Sequence, residues 1–169
     1  MKRPMSNELR KKIKMNIKNR IDISDLIKDV NIKGEDLSRA VIKDFNRPDD
    51  DISGCNLCET VIGEDNKITN LNRITGRNLN CQRTILKGMV WLRRADVRDS
   101  NFKGAFMPQL DYRFSDLRGC NFCGAIFNFG SDKGVGAILG EDFFKDFAKQ
   151  WGVEIKVIKG KEGERNVRG

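Results

Sequence analysis

The chain has 169 residues, 38% of them apolar, with five cysteines, no histidine and a formal net charge of +8. That length suits one domain with a core of its own, and the lack of histidine removes the commonest general base and the commonest metal ligand together. With no secretory apolar region and no apolar run near the ~18 residues of a membrane span, the expectation is a soluble, cytoplasmic-type chain with reduced cysteines and no membrane contact.

The charge is unevenly placed. Residues 1–20 carry eight Lys or Arg against one Glu, residues 21–65 sum to −7 and residues 66–131 to +7. Residues 1–24 therefore read as a basic arm. Within it Ser6 can N-cap a helix in which Leu9, Ile13 and Ile17 form a thin apolar stripe. Arg10, Lys11, Lys12, Lys14 and Lys18 are the candidates for meeting nucleic acid or an acidic partner. An ordinary solvated basic helix explains the same residues. On either reading, removal of the arm should leave the fold intact.

From Asp25 the chain proceeds in fives: DLIKD, VNIKG, EDLSR, AVIKD, FNRPD, DDISG, CNLCE, TVIGE. The third place is apolar with Arg47 as the clear exception, the second is often Asp or Asn, and the first is often small. Residues 65–83 break the register and predict a protruding loop or distorted coil. The fives resume with TILKG and MVWLR, then Arg94 as one residue too many, then ADVRD, SNFKG, AFMPQ, LDYRF, SDLRG, CNFCG and AIFNF. Pro48 and Pro108 fall at fourth places, as corners that need no ladder donor allow. Neither a helix nor a plain strand has a period of five, so the pattern predicts a solenoid with four similar sides, one pentapeptide to each.

These units resemble the pentapeptide-repeat proteins, whose pattern is A(D/N)LXX, most closely in ADVRD, SNFKG, SDLRG and CNFCG. The resemblance implies an all-β fold, a right-handed quadrilateral β-helix over residues 25–130 with first and third places inward, closed by short terminal helices. Stacking one coil on the next predicts inner columns of Leu86, Met107 and Phe127, of Trp91 and Tyr112, of Val97 and Leu117, and of Phe102 and Phe122. At the first place, Met89 falls over Leu110, and Thr84, Ala105 and Ala125 share a column. Large over large and small over small is what a narrow core requires.

The pairs Cys55/Cys58 and Cys120/Cys123 have zinc-ligand spacing. In register, however, one cysteine of each pair points inward and the other sits at a corner. The reading therefore expects free thiols, no metal and no cofactor, and leaves Cys81 in the irregular stretch without a role. Residues 131–169 read as a capping helix with Phe143, Phe144, Phe147 and Trp151 on one face and Gly152 as its stop. A strand with Val153, Ile155 and Val157 alternating follows, and then a flexible tail.

No nucleophile–base pair and no phosphate loop can be assembled, so catalysis is not expected. The expected function is a non-catalytic interaction or structural module, a rigid rod docking on a larger protein assembly, of which a phage virion is one concrete version. The resemblance implies an alternative, since well-known members look like duplex DNA in width and charge and bind type II topoisomerases. That alternative needs an acidic rod, and only the first half of the body is acidic. The candidate protein interface is a set of second places that are apolar instead of Asp or Asn: Val41, Val61, Ile85, Phe106 and Ile126. Their separations of 20, 24, 21 and 20 residues are single coils if the irregular stretch adds four residues and Arg94 adds one. A partner, a second copy of the chain, or its own terminal segment would cover such a stripe.

Overall fold

The computed structural model describes residues 2–127 and 137–139. Its elements in chain order are helices α1 (Asn7–Lys18) and α2 (Ser24–Ile27), then β1 (Val41–Ile42), β2 (Val61–Ile62), β3 (Ile68–Asn70), β4 (Ile85–Leu86) and β5 (Met89–Trp91). They are followed by β6 (Phe106–Met107), β7 (Leu110–Asp111), β8 (Asp116–Leu117), β9 (Ile126–Phe127) and β10 (Ile138–Leu139). The strands are short because each occupies one side of a β-helix before the chain turns a corner.

Four ladders of parallel pairing run through the described residues. The first joins β1, β2, β4, β6 and β9 and starts from Asp22, which pairs with Val41. The second joins β3, β5 and β7. The third runs Asp51, Thr75, Asp96, Asp116, Ile138, and the fourth Asp36, Asn56, Asn80, Asn101, Asn121.

The repeat has a local cause at each place. On the third and fourth ladders the second-place Asp or Asn accepts a hydrogen bond from the N–H two residues on, as Asp36 does from Ser38 (3.1 Å), Asn101 from Lys103 (3.0 Å) and Asn121 from Cys123 (3.0 Å). This Asx turn satisfies a corner donor that the ladder leaves over. The fifth place lies in the left-handed region, with φ of 57° at Arg73 and 54° at Arg94 after the second ladder and 66° at Gly104 after the fourth. Glycine recurs there because it adopts that region without a steric cost. First and third places fill the core, and the Phe102 and Phe122 rings stack with centroids 5.1 Å apart.

The register differs from the sequence expectation in two places. Of residues 65–83, only 65–68 are inserted. TNLNR, ITGRN and LNCQR then follow in regular fives, with Thr69, Leu71, Ile74, Leu79 and Cys81 buried. Cys81 is thus an inward third-place residue with a packing role. The single extra residue is Met89, not Arg94: Val90 pairs with Leu110 and Trp91 with Asp111, which stacks Leu92 against Tyr112 and turns Trp91 outward. Arg94 is an ordinary fifth-place residue. Both insertions lie at one corner, where Ile68 pairs with Met89.

The N-terminal residues are part of the folded body, so the boundary drawn at residue 24 does not hold. Arg3 pairs with Val30, Asp22 opens the first ladder, and DLIKD, read as the first repeat, contributes instead to α2. Ser6 accepts the Leu9 N–H as predicted, and Met5 and Ile13 are buried in the core, so α1 closes the end of the coil stack. Removing residues 2–20 would uncover that end, contrary to the expectation that the arm is dispensable. At the other end β10 continues the third ladder past residue 130. The expected capping helix and strand over 141–157 lie outside the described residues.

Arg47, the one charged third place, is buried at 2% exposure. Its Nη1 donates to the Val30 carbonyl (3.1 Å) and to Asp50 Oδ2 (2.6 Å), its Nη2 donates to the Ile27 carbonyl, and the guanidinium lies 5.5 Å from the Phe45 ring centre. It ties the chain leaving α2 to the coil beneath. Helix ends leave carbonyls unpaired, and a buried guanidinium with several donors can supply partners.

Candidate functional site

Val41, Val61, Ile85, Phe106 and Ile126 form a single row. Each is the direct parallel partner of the next across β1, β2, β4, β6 and β9. At the spacing of neighbouring strands, about 4.8 Å, the row is about 19 Å long. Val41 and Val61 are half-buried, and exposure rises along the row from 40% at Ile85 and 42% at Phe106 to 59% at Ile126. Behind them Ile42, Ile62, Leu86 and Met107 are buried, so the row stands on the packed core.

Backbone chemistry explains why this row can lack Asp and Asn. Two residues after Val61, the Gly63 N–H already donates to the Ile42 carbonyl (2.9 Å), and two after Ile85 the Lys87 N–H donates to the Ile62 carbonyl (2.8 Å). Two after Phe106 stands Pro108, which has no N–H at all. At these three positions the corner donor that Asx turns serve elsewhere has no need of them. The second place is therefore free there to be polar or apolar, and along the ladder it is apolar five times in succession. The row begins at Asp22, whose Oδ1 accepts from the Ser24 N–H and hydroxyl and from the Lys43 N–H. Burial tends to raise the Asp22 carboxyl, but these hydrogen bonds prevail and hold it below its ordinary value. Along the edge, Lys43 approaches Glu64 (3.8 Å) and Lys87 approaches Asp65 (3.7 Å).

The basic arm divides. Arg10 is committed within the fold, its Nε and Nη2 donating to the two carboxylate oxygens of Glu35 at 3.0 and 2.5 Å. Lys11, Lys12, Lys14 and Lys18 are exposed on α1 and make no ion pair among the described residues. Arg10 therefore does not belong with the lysines as a free contact residue, because a pairing partner 25 residues away is invisible in a local pattern.

The cysteines do not converge. Cys55 and Cys120 are buried and donate to the Ile32 and Val97 carbonyls, Cys81 is buried, Cys58 is half-buried and Cys123 exposed, all as free thiols. Desolvation pushes the Cys55 and Cys120 thiols up to about 12, and Cys81 is raised as well. No group of three or more His, Cys, Asp or Glu able to hold a metal occurs among the described residues. No described helix is long and apolar enough to cross a membrane.

A charged corner escaped the sequence reading. Arg73, Arg93, Arg94 and Arg113 line one groove together with Asn72 and Phe114. They are fourth and fifth places of consecutive second-ladder units, a pattern visible only once residues 69–94 are in the right register.

Comparison with known families finds the same repeat. The family described as pentapeptide repeats matches residues 92–128 in eight copies. This stretch of the chain is built of pentapeptide repeats. Among solved structures the chain is similar to trypsin-treated QnrB1, described as a plasmid-mediated fluoroquinolone resistance protein. The two are 9% identical over 76% of this chain and 87% of that one, with a TM-score of 0.23. No curated protein matches the chain.

Proposed function

We propose that this protein is a non-catalytic interaction module, a right-handed, four-sided rod that docks on a larger protein assembly through the row Val41, Val61, Ile85, Phe106 and Ile126. The observation that carries this reading is the apolar choice at five consecutive outward positions, at three of which, Val61, Ile85 and Phe106, the backbone calls for no Asp or Asn. Covering an exposed Ile or Phe contributes roughly 1.5–3 kcal/mol, so a partner with a complementary apolar ridge gains from the whole length of the row. Rigidity adds to this, because the row is held on a parallel ladder and loses little freedom when covered. The partner expected is a different protein.

The alternative, a DNA-like rod that binds a type II topoisomerase, has weaker support. On the third ladder Asp96 is paired with Arg77 and Arg98, and Asp116 with Arg118, so these carboxylates do not present a continuous negative face.

A photo-crosslinking amino acid at position 106, expressed in the cells the protein comes from, tests the proposal. A discrete crosslinked protein, lost when Ile126 is replaced by Asp while the melting temperature stays unchanged, is the expected result. Crosslinks confined to the chain's own C-terminal residues or to a second copy, or no crosslink at all, would reject it.

A further inference from the structure

The groove at the corner after the second ladder has a volume of 340 Å³ and is lined by Asn72, Arg73, Arg93, Arg94, Arg113 and Phe114. Three of its four guanidiniums meet two carboxylates. Asp49 takes Arg73 through Nε (2.5 Å) and Nη2 (2.6 Å). Asp111, buried at 1% exposure, takes both Arg93 (2.7 Å from Nε) and Arg113 (2.9 Å from Nη2). Arg94 has no carboxylate partner among the described residues, and its guanidinium lies 5.9 Å from the Phe114 ring centre. The groove therefore keeps an excess of positive charge.

Three of the four guanidiniums are already held in place. Arg93 is further fixed 4.9 Å from the Trp91 ring centre. An arginine carries five N–H donors, so Arg73 and Arg93 keep some for a ligand after serving their carboxylates. Side chains ordered in advance lose little freedom on binding. Phe114 is 56% exposed beside them, in a left-handed fifth place with φ of 60°, where Asn or Gly would be the less strained choice.

We propose that this corner is a binding site for single-stranded nucleic acid, with a base stacked on Phe114 and the adjoining phosphate held by Arg94 and the pre-ordered guanidiniums of Arg73 and Arg93. A phosphorylated peptide would use the charge but has no need of an exposed ring. A duplex would use the phosphate contacts but keeps its bases out of reach of Phe114. The combination of arginines with one accessible aromatic face is what an unpaired nucleotide recognises. The site is separate from the apolar row and does not depend on its role.

Fluorescence anisotropy with a short labelled oligothymidylate and the full chain tests the proposal, using Arg94→Asn and Phe114→Asn. Both positions have a left-handed backbone that Asn tolerates, and neither side chain holds the buried Asp111, so the melting temperature should not fall. Each substitution should weaken binding about ten-fold. Arg94→Asn should also lower the slope of log affinity against log salt by about 0.7. No binding at low salt, unchanged affinity in either variant, or loss of binding only when Lys11, Lys14 and Lys18 are replaced by Gln would overturn the proposal. So would a DNA duplex or phosphopeptide that binds as tightly as the oligothymidylate and is indifferent to Phe114→Asn.

Discussion

Replacing Arg47 by Met keeps the length and apolar volume of the side chain while removing its charge and donors. The wild-type guanidinium is 2% exposed and serves Asp50, the Val30 carbonyl and the Ile27 carbonyl. Without it, the Ile27 carbonyl still accepts from the Val30 N–H, but the Val30 carbonyl loses the guanidinium donor. Asp50, 17% exposed at its side chain, keeps only Lys2 at 2.6 Å. Breaking a buried pair costs about 3–5 kcal/mol where the other charge is left uncompensated, and with Asp50 reduced to one part-exposed lysine the lower end of that range is expected. For a chain of this size the whole range corresponds to a fall in melting temperature of about 6–20 °C. Urea and thermal unfolding followed by circular dichroism should show this loss. Hydrogen exchange should place it between Asp22 and Arg47, since a solenoid transmits damage mainly to adjacent coils. Adding Asp50→Asn removes the stranded charge and should restore about 1–3 kcal/mol. A loss below about 1 kcal/mol for Arg47→Met, or a double variant no better than the single, would refute the reasoning.

Acid titration should report on the third ladder. Asp96 is held well below its ordinary 3.8 by the hydrogen bond from the Arg98 guanidinium, against opposing desolvation and with help from Arg77. Its folded value lies below its unfolded one, so its stabilisation is complete above the ordinary carboxylate range and is lost as pH falls through the depressed value. Asp96→Asn should flatten the acid limb of stability against pH, and an unchanged limb would contradict the assignment. Glycine substitutions should separate strain from collision. Gly88 and Gly104 have nearly equal φ of 65° and 66°, but a methyl group at Gly88 meets the backbone oxygens of Lys67 and Glu64, whereas at Gly104 the nearest atom is Arg83 Cγ at 3.6 Å. Gly104→Ala should cost about 1 kcal/mol and Gly88→Ala distinctly more, measured by urea midpoints. Thiol reactivity at neutral pH should follow burial: Cys123 labels fast, whereas Cys55, Cys81 and Cys120 label only on unfolding.

Much of this molecule was legible in its sequence because a five-residue period leaves one solution for which side chains face inward. The spacings of Val41, Val61, Ile85, Phe106 and Ile126 place them on one ladder as soon as five extra residues are allowed between Val61 and Phe106. Where the single extra residue falls is a different matter. In Met89-Val90-Trp91-Leu92 every residue is apolar, so shifting the register by one still puts a large apolar side chain at the inner place. Only the neighbouring coil decides, by setting Val90 beside Leu110 and Asp111 beside Trp91. Residues 69–83 were hidden for a related reason: their inner places include Thr69, Gly76 and Cys81, which a pattern search does not count as large and apolar. The partners of Arg47, Arg10 and Arg93 lie up to 25 residues away in sequence and at hydrogen-bonding distance in space. Periodicity determines which way a side chain points, but whether an arginine meets solvent, a carboxylate or a stranded carbonyl depends on what the adjacent coil places against it.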